Sequence, residues 1–312
     1  MRRVHSCIAV NPGYYENQAN ESSVDASDEI PELPQFRRVK TDPASSTIGE
    51  HYIHPQSCKI GVHTDLGGVP FMEDAHQTVV TSGVAVFGVY DGHGGAHAAH
   101  YCRDNLHLNV MAALEHGDAP ADALLSAFAA TEAGLLAEQQ EQARSTGTQC
   151  AGDEAIGSSG VCSASSSSDL CGATALTALL RDGALHLAWL GDCRAVLCRG
   201  GDALELTTDH VLSGGADSPG ARERARVLGE GGSIEGGRLS GFLECSRAFG
   251  DLDRRTGRKP VGLSGAPELR CHPLQSDDEF VVLGSDGLWQ LLEPQVAVRL
   301  ARADLRAHDG DA

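Results

Sequence analysis

Three stretches of this 312-residue chain deliver an acid to the end of an apolar run. In "VAVFGVYDGHGG" the run Val84 to Tyr90 is followed by Asp91, Gly92 and His93; "FVVLGSDGLW" repeats the arrangement at Asp286, and "ALHLAWLGDCRAVL" sets Asp192 after a third run. Short apolar runs bounded by turn residues read as strands, so each carboxylate should emerge at a sheet margin, outside the core. Glu73 and Asp74, in "PFMEDAH", precede another strand-like run, "TVVTSGVAV". Asp-Gly by itself is a common turn dipeptide, but acids gathered at several strand ends can do more. Oxygen donors without a Cys or His set select hard cations such as Mg2+ or Mn2+. Two such ions held close together lower the pKa of a shared water and stabilise charge on a phosphoryl group. Gly92 lets its carbonyl approach a ligand, because no side chain blocks the way. His93 then stands where an imidazole could give a proton to a leaving alkoxide. His97 and His100 are spaced to share one face of a following helix and read as ordinary helix positions.

The elements that must hold these residues are legible in outline. "APADALLSAFAATEAGLLAEQQEQ" has Pro120 near its start and Leu124, Phe128 and Leu135 on one stripe, which predicts a helix with a core face. "ALHLAWLGDCRAVLCRGG" alternates like two strands joined as a hairpin at Gly191-Asp192. Strands and helices come in runs without regular alternation, which favours an α+β layered fold over a doubly wound parallel sheet. Residues 1–56 mix Asn, Ser, Asp, Glu and Pro without periodicity and read as a disordered extension before a domain over 57–312. From about 144 to 170 a Ser/Gly-rich stretch reads as a surface insertion without structure.

Composition excludes several functions. A formal net charge of −19 is the wrong sign for a nucleic-acid surface, and no apolar run reaches the length of a membrane span. The ten cysteines are scattered, with no C-x-x-C pair, so reduced thiols in a cytoplasmic or nuclear protein are expected. The apolar stretch "CIAV" near the N-terminus is too short for a signal-peptide core.

From Cys58 onward the chain resembles the metal-dependent protein Ser/Thr phosphatases of the PPM group, also called type 2C. The resemblance rests on "MEDAH", "VYDGHGG", "CGATAL", "LGDCRAVL", "TTDH", "GGSI", "LECSRAFGD", "PEL" and "LGSDGLW", which occur in the family's order. It implies a four-layer αββα sandwich of two antiparallel sheets flanked by helices, with two Mg2+ or Mn2+ ions at one end. Carried over, Asp91 bridges both ions, the Gly92 carbonyl is a further ligand, Glu73 and Asp74 bind metal or its waters, and Asp286 is a direct ligand. His93 matches the general acid and Asp192 an acid of a weaker third site. The reaction implied is in-line attack on phosphoserine or phosphothreonine of protein substrates by the water bridging the ions, in a monomeric enzyme.

Three departures bear on activity. Val69 stands where the family carries an arginine that grips the substrate phosphate, which removes a charge-assisted contact. Gln290 replaces an aspartate that assists the third ion. The family continues through a further helix and an Asp-Asn motif to a closing strand, whereas this sequence ends at Ala312, so the sandwich is expected to lack those elements. The rival from another class is a pseudophosphatase-like protein that binds phosphoproteins without turnover. Two weaker readings are a cysteine phosphatase, from the C-x5-R spacing of Cys193 and Arg199, and a nucleotide loop at "GEGGSIEGG"; the first lacks a glycine-rich loop and the second lacks G-K-[ST].

Overall fold

The computed structural model describes residues 5–11, 37–38, 58–66, 71–150, 171–253 and 256–309. One sheet runs in the order β2 (Arg37–Arg38), β3 (Lys59–Asp65), β1 (His5–Asn11), β14 (Asp278–Gly284), β8 (Arg194–Arg199) and β9 (Asp202–Glu205). The other runs β13 (Glu268–Pro273), β7 (Ala184–Leu190), β6 (Gly172–Arg181), β5 (Ala85–His93) and β4 (Ala75–Val80), and β12 (Phe249–Gly250) pairs with the start of β6. All of these pairings are antiparallel.

Strand alternation builds the layers. Phe87 and Val89 of β5, Leu176 of β6 and Leu187 of β7 meet Ile8 of β1, Leu197 of β8 and Val281 and Leu283 of β14 between the sheets. Their sequence neighbours face outward: Val86, Tyr90, Ala175 and Leu179 pack under α1 (His97–Glu115) and α2 (Pro120–Cys150). On the opposite face Val196, Phe280 and Val282 are covered by Trp289 of α4 (Asp286–Trp289) and Val298 of α5 (Pro294–Asp309). A strand buried on both faces reads as a continuous apolar run, which is why these runs stood out. Each fully buried large side chain contributes about 1.5–3 kcal/mol. The α+β sandwich with helices on both outer faces is therefore the fold expected from the sequence.

A smaller unit of α3 (Pro219–Gly229) and the hairpin β10 (Ile234–Glu235) and β11 (Arg238–Leu239) packs around Leu212, Val227, Leu239 and Leu263. The glycine-rich "GEGGSIEGG" is the lead-in and turn of this hairpin, with Gly236 and Gly237 both at positive φ.

Three expectations need correction. β7 and β8 are not a hairpin: they belong to different sheets, and Gly191-Asp192 carries the chain from one to the other. Both strands alternate correctly, but alternation does not reveal which sheet a strand joins. Residues 1–56 are not wholly an extension before the domain, because His5–Asn11 lies between β3 and β14, with Ile8 and Val10 in the core. "CIAV", too short for a signal core, is long enough for a strand. β2 lies in the same segment, whose other residues fall outside the described ones. Finally, α2 runs on through Cys150, into the stretch read as unstructured; 151–170 lie outside the described residues.

Candidate active site

The sheet geometry brings the acids together. Asp91 and Gly92 occupy the end of β5, paired with Thr174 and Ala173 of β6. Asp286 opens α4 directly after β14, and Asp192 sits in the crossing from β7 to β8. Asp74, at the entry to β4, is buried and accepts a hydrogen bond from Ser285 Oγ at 2.8 Å, which ties the two sheets together at this end.

Electrostatics record the crowding. Burial pushes the Asp91 carboxyl well above the usual carboxylate range, and Asp74, Asp286 and Asp192 push it further; Asp286 also lies within hydrogen-bond reach of it. Burial, then Asp286 and Asp209, raise Asp192 to about 7. Elevation of this kind, with like charges among its causes, marks a site where carboxylates are forced together. The donors are all oxygen, which fits a hard divalent cation. Among the described residues no three His, Cys, Asp or Glu side chains converge into a closed set of metal ligands, so the fit rests on donor chemistry and proximity.

Glu73 also supports the neighbouring backbone. Its Oε1 accepts the Gly95 N–H at 2.7 Å and braces the turn that follows His93. Its main-chain carbonyl lies against Gly92, where a methyl group would collide with that oxygen. Gly92→Ala is therefore expected to cost about 1–3 kcal/mol by overpacking and to lower the unfolding temperature. A wild-type melting curve for this variant would show that the contact is looser than described.

His93 Nε2 lies 2.8 Å from each carboxylate oxygen of Asp251. Burial lowers the basicity of this imidazole, but the hydrogen bond and charge of Asp251 outweigh it and leave the pKa raised. Asp251 is fully buried and holds φ +59°, in the left-handed region that aspartate tolerates better than most residues. Gly172 makes the approach possible, since a methyl group there would strike the Asp251 carboxylate. Asp251 was not among the sequence-based candidates; its only signal was the acid closing "LECSRAFGD".

The segment carrying Asp251 is fastened to α3 through Glu223. This carboxylate accepts bonds from Arg247 Nη2 at 2.6 Å, Arg226 Nη2 at 2.8 Å and Ser246 Oγ at 2.6 Å. Burial would raise its pKa, but Arg247, Ser246 and Arg226 prevail and bring it to about 2.

Gln290 donates from Nε2 to Asp286 Oδ2 at 2.7 Å, in the place where the family pattern has a charge. Val69 lies outside the described residues. The cysteine-phosphatase reading fails. Cys193 is buried against Asp91 and Asp192, burial and both charges push its thiol well up, and the residues to Arg199 form β8.

Comparison with known proteins places the chain in a family. The family profile "Protein phosphatase 2C" matches residues 67–312. Probable protein phosphatase 2C 54 of Oryza sativa subsp. japonica is 32% identical over 93% of this chain and 76% of its own length. Probable protein phosphatase 2C 27 of the same plant is 35% identical over 80% of this chain, which spans 66% of that relative. Among solved structures, the serine-threonine phosphatase 2C from Toxoplasma gondii shares the fold with a TM-score of 0.59 at 21% identity, over 88% of this chain and 89% of that one. No described helix is long and apolar enough to cross a membrane. With the profile covering most of the sequence and the acids gathered at one end of the sandwich, this chain belongs to the protein phosphatase 2C family of Mg2+- or Mn2+-dependent serine/threonine phosphatases.

Proposed function

We propose that this chain hydrolyses phosphoserine and phosphothreonine in protein substrates, using two Mg2+ or Mn2+ ions. The observation that carries the reading is the meeting of Asp74, Asp91, Asp192 and Asp286 beside the His93–Asp251 pair. Asp91, the Gly92 carbonyl and Asp286 would hold the ions, with Asp74 and Glu73 on their waters, and the ions would supply an activated water and neutralise the phosphoryl oxygens. His93, hydrogen-bonded to Asp251, would give its proton to the serine or threonine oxygen as the P–O bond to that oxygen breaks. Asp251 holds the imidazole in place through both carboxylate oxygens. Glu73 positions the following turn through the Gly95 N–H. Asp192 is the residue a third ion would use, but Gln290 brings no charge to assist it, and the proposal is confined to two.

Binding of phosphoproteins without turnover is favoured by Val69, which cannot grip a phosphate. A single experiment separates the two readings: hydrolysis of a phosphothreonine peptide by the purified chain with Mn2+, with Mg2+ and with chelator. Turnover that appears with either ion and disappears with chelator is the expected result. Tight binding of the peptide with no release of phosphate under any of these conditions would replace the enzyme reading with the binding one.

A further inference from the structure

We propose that Glu132, on α2, is a positioning residue for His93, and that it acts by holding the main chain that carries Asp251. The inference rests on the general-acid role given to His93 above and extends it to a residue outside the acid cluster.

Asp251 reaches His93 from an unusual backbone. Gly250 holds φ +72° and Asp251 φ +59°, so two successive residues lie in the left-handed region. Backbone of this kind persists where the surrounding structure over-determines it, and a rotation at Gly250 would swing the carboxylate away from the imidazole. The main-chain donors here are therefore each held. The Ala248 N–H donates to the Ser264 carbonyl at 3.1 Å and the Asp251 N–H to the Cys171 carbonyl at 3.0 Å. Between them, the Gly250 N–H goes to a side chain: Glu132 Oε2 accepts it at 2.9 Å.

Helix α2 delivers Glu132 to that place. Phe128, one turn earlier on the same face, packs against Phe249 with ring centroids 5.1 Å apart. The second carboxylate oxygen, Oε1, accepts from Lys259 Nζ, which also donates to the Ala248 carbonyl at 2.8 Å. The pair thus grips the chain on both sides of Phe249. Gly265 leaves room for it, since a methyl group there would strike Glu132 Oε1. Both side chains are largely buried, Glu132 at 14% and Lys259 at 16% exposure. A buried ion pair adds little net stability over apolar residues of similar size. What this one adds is direction: it fixes Gly250, and through Gly250 the carboxylate that holds His93.

The test compares two double variants of the full chain, with Mg2+, that differ only at the acceptor. Glu132→Gln with Lys259→Met keeps an oxygen for the Gly250 N–H; Glu132→Met with Lys259→Met removes it, and neither leaves a buried charge unpaired. Two substrates are used. Threonine departs as an alkoxide that needs a proton, whereas p-nitrophenolate is stable as an anion and departs without one. Misplacement of a catalytic group by about 1 Å costs about a hundredfold. The second variant is accordingly expected to lose about thirtyfold in kcat on a phosphothreonine peptide relative to the first, with KM and p-nitrophenyl phosphate turnover changed by less than about threefold. Equal losses on the two substrates would mean that Glu132 only supports the fold. Equal kcat values in the two variants would mean that the Gly250 contact does not direct Asp251. Either result overturns the proposal. A wild-type chain that turns over neither substrate would instead count against the enzyme reading, and NMR of the imidazole rings then decides this one. The His93 resonances are expected to move between the two variants, and identical resonances would overturn the proposal.

Discussion

Asp91→Asn is expected to lower metal-dependent hydrolysis of a phosphothreonine peptide about a thousandfold or more, while making the chain more stable in chelator. The activity loss follows from removing a charged oxygen donor from the centre of the acid cluster, where electrostatic stabilisation supplies most of the rate. The stability gain follows from the same crowding. Burial and the charges of Asp74, Asp286 and Asp192 all disfavour the Asp91 carboxylate, and the asparagine amide relieves that repulsion. A gain of about 1 kcal/mol corresponds to about 2–4 °C in a domain of this size.

The pH dependence has a definite sign. An acid whose folded pKa is raised binds more protons in the folded state than in the unfolded one, so stability falls as pH rises between the two values. For Asp192 that window opens near the ordinary carboxyl value of about 3.9 and closes at about 7. In chelator the wild-type melting temperature should therefore decline from pH 5 to pH 7, and the decline should be shallower in Asp91→Asn. A variant that keeps wild-type activity would remove Asp91 from the catalytic centre. A flat wild-type profile would show that the acids do not repel one another as described.

The second large effect lies on Arg199, within an ion network that joins the two sheets. Arg199 of β8 donates from Nε to Asp278 Oδ1 at 2.8 Å and from Nη2 to Asp278 Oδ2 at 3.3 Å. His272 of β13, in the opposing sheet, places Nε2 3.0 Å from Asp278 Oδ2. Burial alone would raise the Asp278 carboxyl, but Arg199, the Gln275 N–H and His272 outweigh it and hold it below its usual value. Arg199→Met leaves this carboxylate, 1% exposed, without its main counter-charge. The cost should be about 3 kcal/mol, at the low end for a broken buried pair because His272 remains. A depressed acid contributes stability above its unfolded pKa and loses it as pH falls through the folded one. The deficit of Arg199→Met, read from urea unfolding, should thus be full at pH 7 and shrink as the pH falls below about 4. A loss under about 1 kcal/mol at pH 7 would mean that solvent already screens the pair.

The legible parts of this protein are those with a local signature. Strands buried on both faces showed as continuous apolar runs at Val84–Tyr90 and Phe280–Leu283, and the helix stripe Leu124, Phe128 and Leu135 is fully buried. Strand β1 was missed because four apolar residues carry little weight alone; it becomes a strand by pairing with Val281–Gly284, at the far end of the chain. The supposed hairpin at Gly191-Asp192 failed for the same reason, since partner choice depends on residues distant in sequence. Asp251 escaped notice because its chemistry lies in its distance to His93, and those two residues are separated by most of the domain.

By itself the sequence determined the chemistry on offer: aspartates ending apolar runs, a bare glycine carbonyl, an imidazole beside them, and a motif order specific to one family. These depend on residue type and short-range spacing, which the chain carries without folding. Only the tertiary structure decided that Asp74, Asp91, Asp192 and Asp286 crowd one another, that Glu73 braces a turn, and that Asp251 raises the pKa of His93. Such relations arise when sheets stack and strands pair across the chain, because burial and Coulomb forces act through space and take no account of sequence separation.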